Sequence, residues 1–541
     1  MRGIMACCTT LSGGRARVWA AGAFLFLLAL GLRLRGIGAE SVWMDDFFSA
    51  ARLDAPNLLQ FLRDQRGDNW EMVPVYYTLE YFWACLLPGS LAWVRGLSAL
   101  FGAGAVVMVF SLGRRLGGMV AGCVAALVMA LSPWQVFHSQ GLRPYALMLF
   151  LSLVSMDALL RWTESRRPAP LAAHLAANLL MLWSHLFAPL FFLPQGLIVL
   201  FARGVSWRER FFWGGAHALF LLAVLGYVAT IKPAPDPPVT PPGWGNSWAV
   251  VTGAGFYAGD DTLTGGVLSA DGENLRWAEY NSPTVLRDPA HPLAADLLPL
   301  RPAVELALAR CYLLTLALAL FFAVRCALRR DEESRRELRK TLVLLAWFLV
   351  PVAALFLVAQ FWKPHAFQRR YVLYAWPALC LLVGVSAARL RGPARWAHAA
   401  APLAMLAVLA AAAAALPMRH DYLSAAGLLR AHAATHPAAM TDNWNLMRIL
   451  RCNDPGLPVP VERYLSPEET ASRAVETVRA GTGVWVLFVG PESLPQRQSL
   501  EQTLRDNDIP WGRVILPGMQ SLYLYRCDPA EPALVMASSP G

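Results

Sequence analysis

The stretch PVYYTLEYFWACLLP, Pro74 to Pro88, decides how this chain is threaded. It is rich in apolar and aromatic residues, yet it is shorter than the about twenty apolar residues that a membrane span requires. It also contains Glu80 and has a proline at each end. By parity, whether it crosses a bilayer determines the side on which every later loop lies.

The composition around this stretch is that of a polytopic membrane protein. Of 541 residues, 56% are hydrophobic and 16% are charged, and the mean hydropathy is +0.41. Soluble globular chains are less apolar and carry more charge. Apolar runs of near-spanning length recur along the chain. They begin near Val18, Pro74, Trp93, Met119, Tyr145, Leu171, Ala188, Phe211, Ala303, Thr341, Tyr371 and Trp396.

Basic residues settle the parity. If the amino terminus is cytosolic and Pro74 to Pro88 does not cross, nearly every basic cluster falls in a cytosolic loop, as the positive-inside rule requires. If the stretch crosses, all of them fall outside. The clusters are Arg114–Arg115, Arg161–Arg167, Arg203–Arg210, Arg325–Lys340 and Arg389–Arg395. We therefore predict eleven spans, a juxtamembrane helix at Pro74 to Pro88, a cytoplasmic amino terminus and an extracytoplasmic carboxyl terminus.

The same distribution excludes some other classes. The net charge of +10 lies in short clusters between apolar runs, and no basic, aromatic-lined soluble module is present, so the sequence does not predict nucleic-acid binding. The nine cysteines show neither a C-x-x-C pair nor zinc spacing. A disulfide between Cys452 and Cys527 fits an extracytoplasmic location. The run from Val18 to Leu32 mimics a signal peptide, but we favour an uncleaved span, because cleavage would remove the anchor beside the acids described below.

Two domains are expected: a transmembrane domain at residues 1–416, with outer loops at 33–92 and 232–302, and a small extracytoplasmic domain at 417–541. The second domain alternates helical and strand patterns, which indicates an α/β fold. Its predicted elements are helix Tyr422–Ala434, strand Ala438–Trp444, helix Pro467–Ala480, strand Val484–Val489, helix Pro495–Asn507 and a strand pair at Val514–Leu516 and Ser521–Tyr525. It lacks a nucleotide-binding glycine pattern, so we interpret it as a lid or docking module.

Candidate acids follow the first span. The segment ESVWMDDFFSAARL, Glu40 to Leu53, places Asp45 and Asp46 side by side. Neighbouring carboxylates beside a bilayer are costly unless a cation, a proton or a substrate compensates them. One is a candidate base and the other a positioning or metal-binding group; the alternative is a helix N-cap with a solvated neighbour. Glu71, before the proline-led stretch, is a weaker candidate, with a plain surface acid as its alternative.

Candidate cations lie on the predicted outer side. The segment FWKPHAFQRRY, Phe361 to Tyr371, breaks the positive-inside pattern, as does Arg143 in HSQGLRPY. Its basic residues are Lys363, His365, Arg369 and Arg370. Such groups suit a phosphate or pyrophosphate at headgroup level, with ordinary headgroup anchoring as the alternative. His138 and His185 are interpreted as ordinary hydrogen-bonding residues near the outer ends of spans.

Acids and cations on one outer face predict group transfer. The basic groups would hold a lipid-linked phosphate leaving group while an acid deprotonates an acceptor hydroxyl, and polyprenyl-phosphate sugars fit that description. The order of motifs resembles GT-C integral membrane glycosyltransferases, in particular glycosyltransferase family 39, the group of protein O-mannosyltransferases and lipid A aminoarabinose transferases. The resemblance spans roughly Val18 to Arg389. The matching segments are Ser41–Asp46, Glu71–Tyr77, Arg95–Leu100, Gly113–Gly118, Ser132–Tyr145, Ser184–His185 and Arg370–Tyr371 with Pro377.

The resemblance implies inverting transfer from a polyprenyl-phosphate sugar to an extracytoplasmic acceptor at the bacterial plasma membrane. It implies that Asp45, paired with Asp46, is the base, and that Glu71 helps to bind a divalent metal, as in some members. The implied phosphate-binding residues are Arg143, Lys363, Arg369 and Arg370. Asp46 replaces a usual Glu, Met72-Val73 replaces H-P or K-P, and Gly141 replaces an acid. These departures keep the base but weaken the metal site.

Two other classes stay open. A transporter or flippase for lipid-linked sugars would place ionisable residues near the bilayer midplane, with broken helices and internal repeats; this sequence places its acids in an outer loop. A catalytically inactive membrane scaffold that presents the carboxyl-terminal domain is the third class. The sugar and the acceptor, whether glycan, lipid or protein, are not indicated by the sequence.

Overall fold

The computed structural model describes residues 14–42, 44–68, 72–230, 301–329, 331–361, 369–414, 421–443, 445–463, 466–489, 494–516 and 522–529. Contacts divide the chain into two compact units. Among the described residues, the first unit comprises those within 14–38, 52–230 and 301–413. The second comprises those within 39–51 and 414–529. The acid pair therefore groups with the carboxyl-terminal residues, whereas the predicted domain limits at 416 and 417 stay a prediction.

The first unit is built from helices. Eight helices in the described residues are long and apolar enough to cross a membrane, as the sequence predicts for a polytopic protein. Its α-helices are Gly14–Leu34, Leu58–Asp68, Pro74–Leu86, Leu91–Leu131, Pro133–His138, Tyr145–Ser165, Pro168–Leu182, Phe192–Phe201, Trp207–Val228, Arg301–Arg329, Glu332–Phe361, Trp376–Arg389 and Gly392–Ala414, with 3-10 turns at Ala188–Phe191 and Arg369–Ala375.

The longest helical stretch, Leu91–Leu131, reverses direction. Gly117 and Gly118 have non-helical backbone angles, and Gly118 has φ +82°, a conformation that favours glycine. A Cβ added at Gly113 would lie 2.8 Å from the Cα of Gly122, although nine residues of straight helix would separate them by about 13 Å. The stretch is therefore two closely packed antiparallel segments. With the shorter apolar helices Pro168–Leu182 and Ala188–Phe201, the described residues hold eleven apolar helical segments, the predicted number.

The stretch Pro74 to Pro88 forms a short helix in the structure. It begins at Pro74, after an extended Val73, and ends at Leu86 after 13 residues. At a rise of 1.5 Å per residue it is about 20 Å long, less than the about 30 Å of a bilayer core. Trp83 stacks on Trp93 at 4.4 Å, and each indole N–H donates to the other residue's carbonyl, at 2.7 and 2.9 Å. The helix is thus fastened to the next helix without the length to span.

The basic clusters meet at one end of this unit. Arg115 pairs with Glu164 at 2.6 Å, and Arg389 pairs with Glu337 at 2.6 Å. Two hydrogen bonds connect the remaining clusters. Arg166 donates to the carbonyl of Arg203 at 2.8 Å, and Lys340 donates to the carbonyl of Leu116, next to Arg115, at 3.1 Å. The clusters that parity assigned to one side therefore share one end of the helices. That this end faces the cytosol stays a prediction.

A polar network joins four helices in the interior of the first unit. Asn178 Nδ2 donates to Gln195 Oε1 at 2.8 Å and to His217 Nε2 at 2.7 Å. Asn178 Oδ1 accepts from Ser155 Oγ at 2.6 Å, and His174 Nε2 accepts from the Trp213 indole at 2.8 Å. These side chains are buried. Buried polar groups need such partners, and here the partners come from neighbouring helices.

The second unit contains a five-stranded mixed sheet. Its strands are β1 (Ala438–Thr441), β2 (Val461–Arg463), β3 (Val484–Val489), β4 (Trp511–Leu516) and β5 (Leu522–Cys527), in the order β2-β1-β3-β5-β4. β1 is parallel to β2 and β3, while β5 is antiparallel to β3 and β4. The helices are Met44–Ala50, Tyr422–Ala431, Leu446–Asn453, Pro467–Arg479 and Leu494–Asp506.

The α/β prediction for this unit is confirmed, with β3 at its predicted residues and other ends shifted by a few residues. Two elements were missed, helix Leu446–Asn453 and strand β2. No disulfide joins Cys452 and Cys527, which lie in helix Leu446–Asn453 and β5. The predicted disulfide is therefore not formed. Loop 232–302 lies largely outside the described residues.

Candidate functional site

Arg143 is held in an aromatic pocket of the first unit. It lies just before helix Tyr145–Ser165 and is 6% exposed. Its Nη1 donates to the Tyr77 hydroxyl at 3.1 Å, and its guanidinium lies 6.0 Å from the ring centroid of Tyr145. Tyr77 belongs to the short helix Pro74–Leu86. This short helix, which does not span the membrane, therefore helps to orient the Arg143 guanidinium.

A second arginine, Arg370, comes from a segment far later in the sequence. It lies in the 3-10 segment Arg369–Ala375 and places its guanidinium 5.5 Å from the Tyr371 ring. Tyr371 stacks on Phe187 at 4.2 Å. The ring of His185 lies 5.4 Å from Tyr145 and 5.3 Å from Tyr371. His185 therefore lies between the aromatic partners of the two arginines.

The pKa of His185 is affected by both arginines. Burial, followed by the positive charges of Arg143 and Arg370, lowers the pKa of His185 to about 3. The imidazole is therefore neutral at physiological pH. The backbone N–H of Phe187 donates to His185 Nδ1 at 3.2 Å, which leaves the proton on Nε2. We define the cation pocket as Arg143, Arg370 and His185. It offers two guanidinium groups and one neutral N–H donor, a set suited to a phosphate.

Several motif segments of the sequence converge around this pocket. The Tyr76 hydroxyl, next to Tyr77, lies 3.1 Å from Ser98 Oγ. Gln140 Nε2 donates to the carbonyls of Arg33 and Arg35, at 2.8 and 2.9 Å, and so fastens the turn that carries Arg143. Segments far apart in sequence are thus in contact here; that they form one site stays a prediction.

The acid pair lies in the second unit. Asp45 and Asp46 are in the first turn of helix Met44–Ala50, where carboxylates are favoured by the helix dipole. Asp46 is 0% and Asp45 9% exposed. Both residues are therefore largely buried, which fits the alternative of a cap with a solvated neighbour less well than it fits a functional pair. Buried carboxylates must be stabilised by their surroundings.

The acid segment is fastened to the carboxyl-terminal helices. Asn453 Oδ1 accepts from the Val42 N–H at 2.8 Å, and Asn453 Nδ2 donates to the Val42 carbonyl at 2.9 Å. Ser41 Oγ accepts from the N–H of Leu423 at 3.1 Å. The guanidinium of Arg448 lies 5.0 Å from the ring centroid of Phe47. The carboxyl-terminal residues therefore hold the segment that carries the acids; the lid or docking role stays a prediction.

Other predicted site residues lie outside the described residues. These are Glu71 and Lys363; for Arg369 only the backbone is described. Within the described ranges, no group of three or more His, Cys, Asp or Glu is placed to hold a metal. Asp45 and Asp46 supply two carboxylates, fewer ligands than a divalent cation takes.

Three contributors to these sites were missed from the sequence. His185 was interpreted as an ordinary hydrogen-bonding residue, and Tyr77 as an interfacial aromatic. Asn453 gave no signal, because its partner Val42 is 411 residues away. The placement of Ser184-His185 in the motif order was the one clue to His185.

Comparisons with known proteins give structural similarity alone. No protein-family model matches the sequence, and no curated protein matches it. The chain is similar to ArnT from Cupriavidus metallidurans in the apo state, with 12% identity, TM-score 0.48 and coverage of 95% of this chain and 98% of that chain. For ArnT bound to undecaprenyl phosphate the values are 11%, 0.47, 93% and 97%.

An oligosaccharyltransferase from Archaeoglobus fulgidus, in complex with Zn and sulfate, is also similar, with 13% identity and TM-score 0.43. The similarity covers 92% of this chain and 68% of that chain.

Proposed function

We propose that this protein is a membrane glycosyltransferase that moves a sugar from a polyprenyl-phosphate carrier to an acceptor hydroxyl outside the cytosol. The cation pocket carries the proposal. Arg143 and Arg370 both act electrostatically on the neutral imidazole of His185, and each lies over an aromatic ring near the start of an apolar helix. A lipid-linked phosphate has the matching chemistry, because its tail requires the bilayer and its anionic head requires such donors.

The proposed reaction is a single displacement at the anomeric carbon. Asp45 accepts the proton of the acceptor hydroxyl, and the hydroxyl oxygen forms a bond to the anomeric carbon. The bond between that carbon and the phosphate oxygen breaks, and the polyprenyl phosphate leaves with the bonding electrons. Arg143 and Arg370 stabilise the charge that develops on this phosphate. Displacement at the opposite face inverts the anomeric configuration.

Asp46 and Glu71 have supporting roles in the proposal. Asp46, fully buried beside Asp45 in the same first turn, is proposed to fix the orientation of the base. Lys363 and Arg369 are proposed to help bind the donor phosphate, as their positions in the motif imply. Glu71 is proposed as a metal ligand, by resemblance to some members of the family.

The transporter alternative is less well supported by the interior of the first unit. A transport path through the bilayer would present polar groups to a substrate. The interior polar groups of Asn178, Gln195 and His217 are instead bound to one another, at 2.7 to 2.8 Å. This arrangement favours a structural role for these interior side chains over a role in binding a transported substrate.

Transfer from a radiolabelled donor tests the proposal. Membranes that contain the wild type, Asp45→Asn or the exposed control Asp54→Asn would receive a panel of radiolabelled polyprenyl-phosphate sugars, and label loss from lipid would be followed. Loss of a general base is expected to slow transfer by about 10²- to 10⁴-fold, while Asp54→Asn transfers like the wild type. Full activity of Asp45→Asn would remove Asp45 as base. No transfer with any donor would favour the transporter or the scaffold.

A further inference from the structure

A second polar cavity lies at the basic end of the first unit. Its volume is about 360 Å³. It is bounded by the reversal at Gly117–Gly118, by the start of helix Glu332–Phe361 and by the end of helix Trp376–Arg389. Its charged lining residues are Arg115, Glu337, Lys340 and Arg389.

This cavity is distinct from the cation pocket. Helix Tyr145–Ser165 begins beside Arg143 and has 21 residues, so its ends are about 30 Å apart. At its far end, Glu164 contacts the lining residue Arg115. Helix Trp376–Arg389, which follows Arg370, likewise ends at the lining residue Arg389. The two sites are therefore separated by about the thickness of a bilayer core.

The lining carries more positive than negative charge. It holds three cationic side chains and one carboxylate, Glu337. Lys340 Nζ and Arg389 Nη2 both contact Glu337, each at 2.6 Å, so one carboxylate is shared by two cations. Arg389 Nη1 also donates to Thr341 Oγ1 at 2.9 Å. The contacts hold the cationic groups in place around the cavity, which reduces the entropy lost when they bind an anion.

An apolar helix, Arg301–Arg329, lies beside the cavity residue Arg389. The guanidinium of Arg389 lies 5.4 Å from the ring centroid of Phe322. On the same helix, Phe321 is 57% and Leu328 77% exposed, as expected for side chains that contact acyl chains. An anionic group in the cavity would therefore lie beside an apolar surface. Basic cavities between helix ends are a recognised way to bind lipid headgroups.

We propose that this cavity binds a phosphate group, with Lys340 and Arg389 as its principal ligands, at the end of the molecule opposite the cation pocket. The phosphate belongs to an anionic membrane lipid or to a free phosphate ion. The inference does not depend on the proposed transferase reaction. It assigns this end of the molecule a ligand that ties together helices Leu91–Leu131, Glu332–Phe361 and Trp376–Arg389.

Lipid retention by the purified full-length chain tests the proposal. Native mass spectrometry would measure binding of phosphatidylglycerol and of zwitterionic phosphatidylcholine to the wild type and to Lys340→Gln/Arg389→Gln. The matched control is Arg335→Gln/Arg336→Gln, which removes the same number of positive charges from exposed positions on the helix that carries Lys340. Loss of two charge-assisted contacts is expected to weaken phosphatidylglycerol binding at least about tenfold, with no change in the control variant.

The single variant Lys340→Gln guards against misfolding, because it leaves the Arg389–Glu337 pair intact; it is expected to lose part of the phosphatidylglycerol binding. Added inorganic phosphate separates the two sources. Displacement of the lipid by phosphate supports recognition of the ion itself, and retention supports recognition of the lipid headgroup. The proposal is overturned if the double variant binds phosphatidylglycerol like the control variant, or if the wild type retains phosphatidylcholine equally well.

Discussion

Replacing Asn453 by Ala is expected to loosen the acid segment without unfolding the second unit. Asn453 makes two reciprocal hydrogen bonds to the backbone of Val42, at 2.8 and 2.9 Å. At about 1 kcal/mol per bond, the segment that carries Asp45 and Asp46 loses about 2 kcal/mol of anchoring. A loss of about 2 kcal/mol corresponds to an about thirtyfold higher population of the open state, so the Val42 amide should exchange about thirtyfold faster.

Hydrogen exchange of the full-length protein measures this directly. The amide of Val42 is the reporter, and amides of strand β3 report on the core of the unit. Asn507→Ala is the matched control, because Asn507 bonds Thr503 and Arg479 in the same unit, at 2.8 and 2.7 Å. Exchange at Val42 should rise in Asn453→Ala alone. Transfer activity should fall through kcat, since the base is misplaced while the cation pocket is untouched.

Two results would refute this reasoning. Unchanged protection of Val42 in Asn453→Ala would mean that the two hydrogen bonds do not anchor the segment. A rise in exchange without loss of transfer would mean that the segment does not position a catalytic group. Loss of protection throughout β3 would instead mark general destabilisation, and Asn453→Asp, which keeps the acceptor for the Val42 N–H, would then replace it as the test variant.

Three further predictions concern the first unit. Asn178→Leu removes interhelical bonds worth about 0.6 kcal/mol each, up to about 1.7, so thermal unfolding in detergent should show a loss of about 2 kcal/mol; Thr163→Val, which loses only a bond within its own helix, should lose less than about 0.5. Gly118→Ala should destabilise by about 1–2 kcal/mol, because φ is +82° there; an unchanged melting curve would contradict the reversal. The pKa of His185 is about 3 in the folded state and about 6.5 in the unfolded state, so its contribution to the free energy of unfolding is complete above pH 6.5 and falls by about 1.4 kcal/mol per pH unit below that pH. Between pH 6.5 and 5 the wild type should therefore lose about 2 kcal/mol more stability than His185→Gln. Parallel curves of stability against pH for the two proteins would refute a buried neutral imidazole.

Local patterns predicted much of the fold. Pro74 starts a helix because its missing N–H is no loss at the first turn, and that helix begins there in the structure. The motif Gly113 to Gly118 contains the glycines at which the chain reverses and the segments approach closely. In the second unit, β3 was predicted at its observed ends because its residues form a short buried apolar run.

What the sequence did not predict depends on tertiary contacts. Strand β2, at Val461–Arg463, follows two prolines and contains two charged residues, and pairing with β1 overrides its weak local preference. The packing of residues 39–51 with the carboxyl-terminal helices joins positions 411 residues apart. The burial of Asp46 follows from that packing. A neighbour in space leaves no period or spacing in one sequence, so such sites become visible only in three dimensions.

The central claim is that the cation pocket binds the phosphate of a polyprenyl carrier. The most direct measurement is the Kd of a polyprenyl phosphate for the wild type, Arg143→Gln and the exposed control Arg63→Gln. Loss of one charge-assisted contact predicts about tenfold or greater weakening in Arg143→Gln and no change in Arg63→Gln. Equal affinity of all three proteins would contradict the claim.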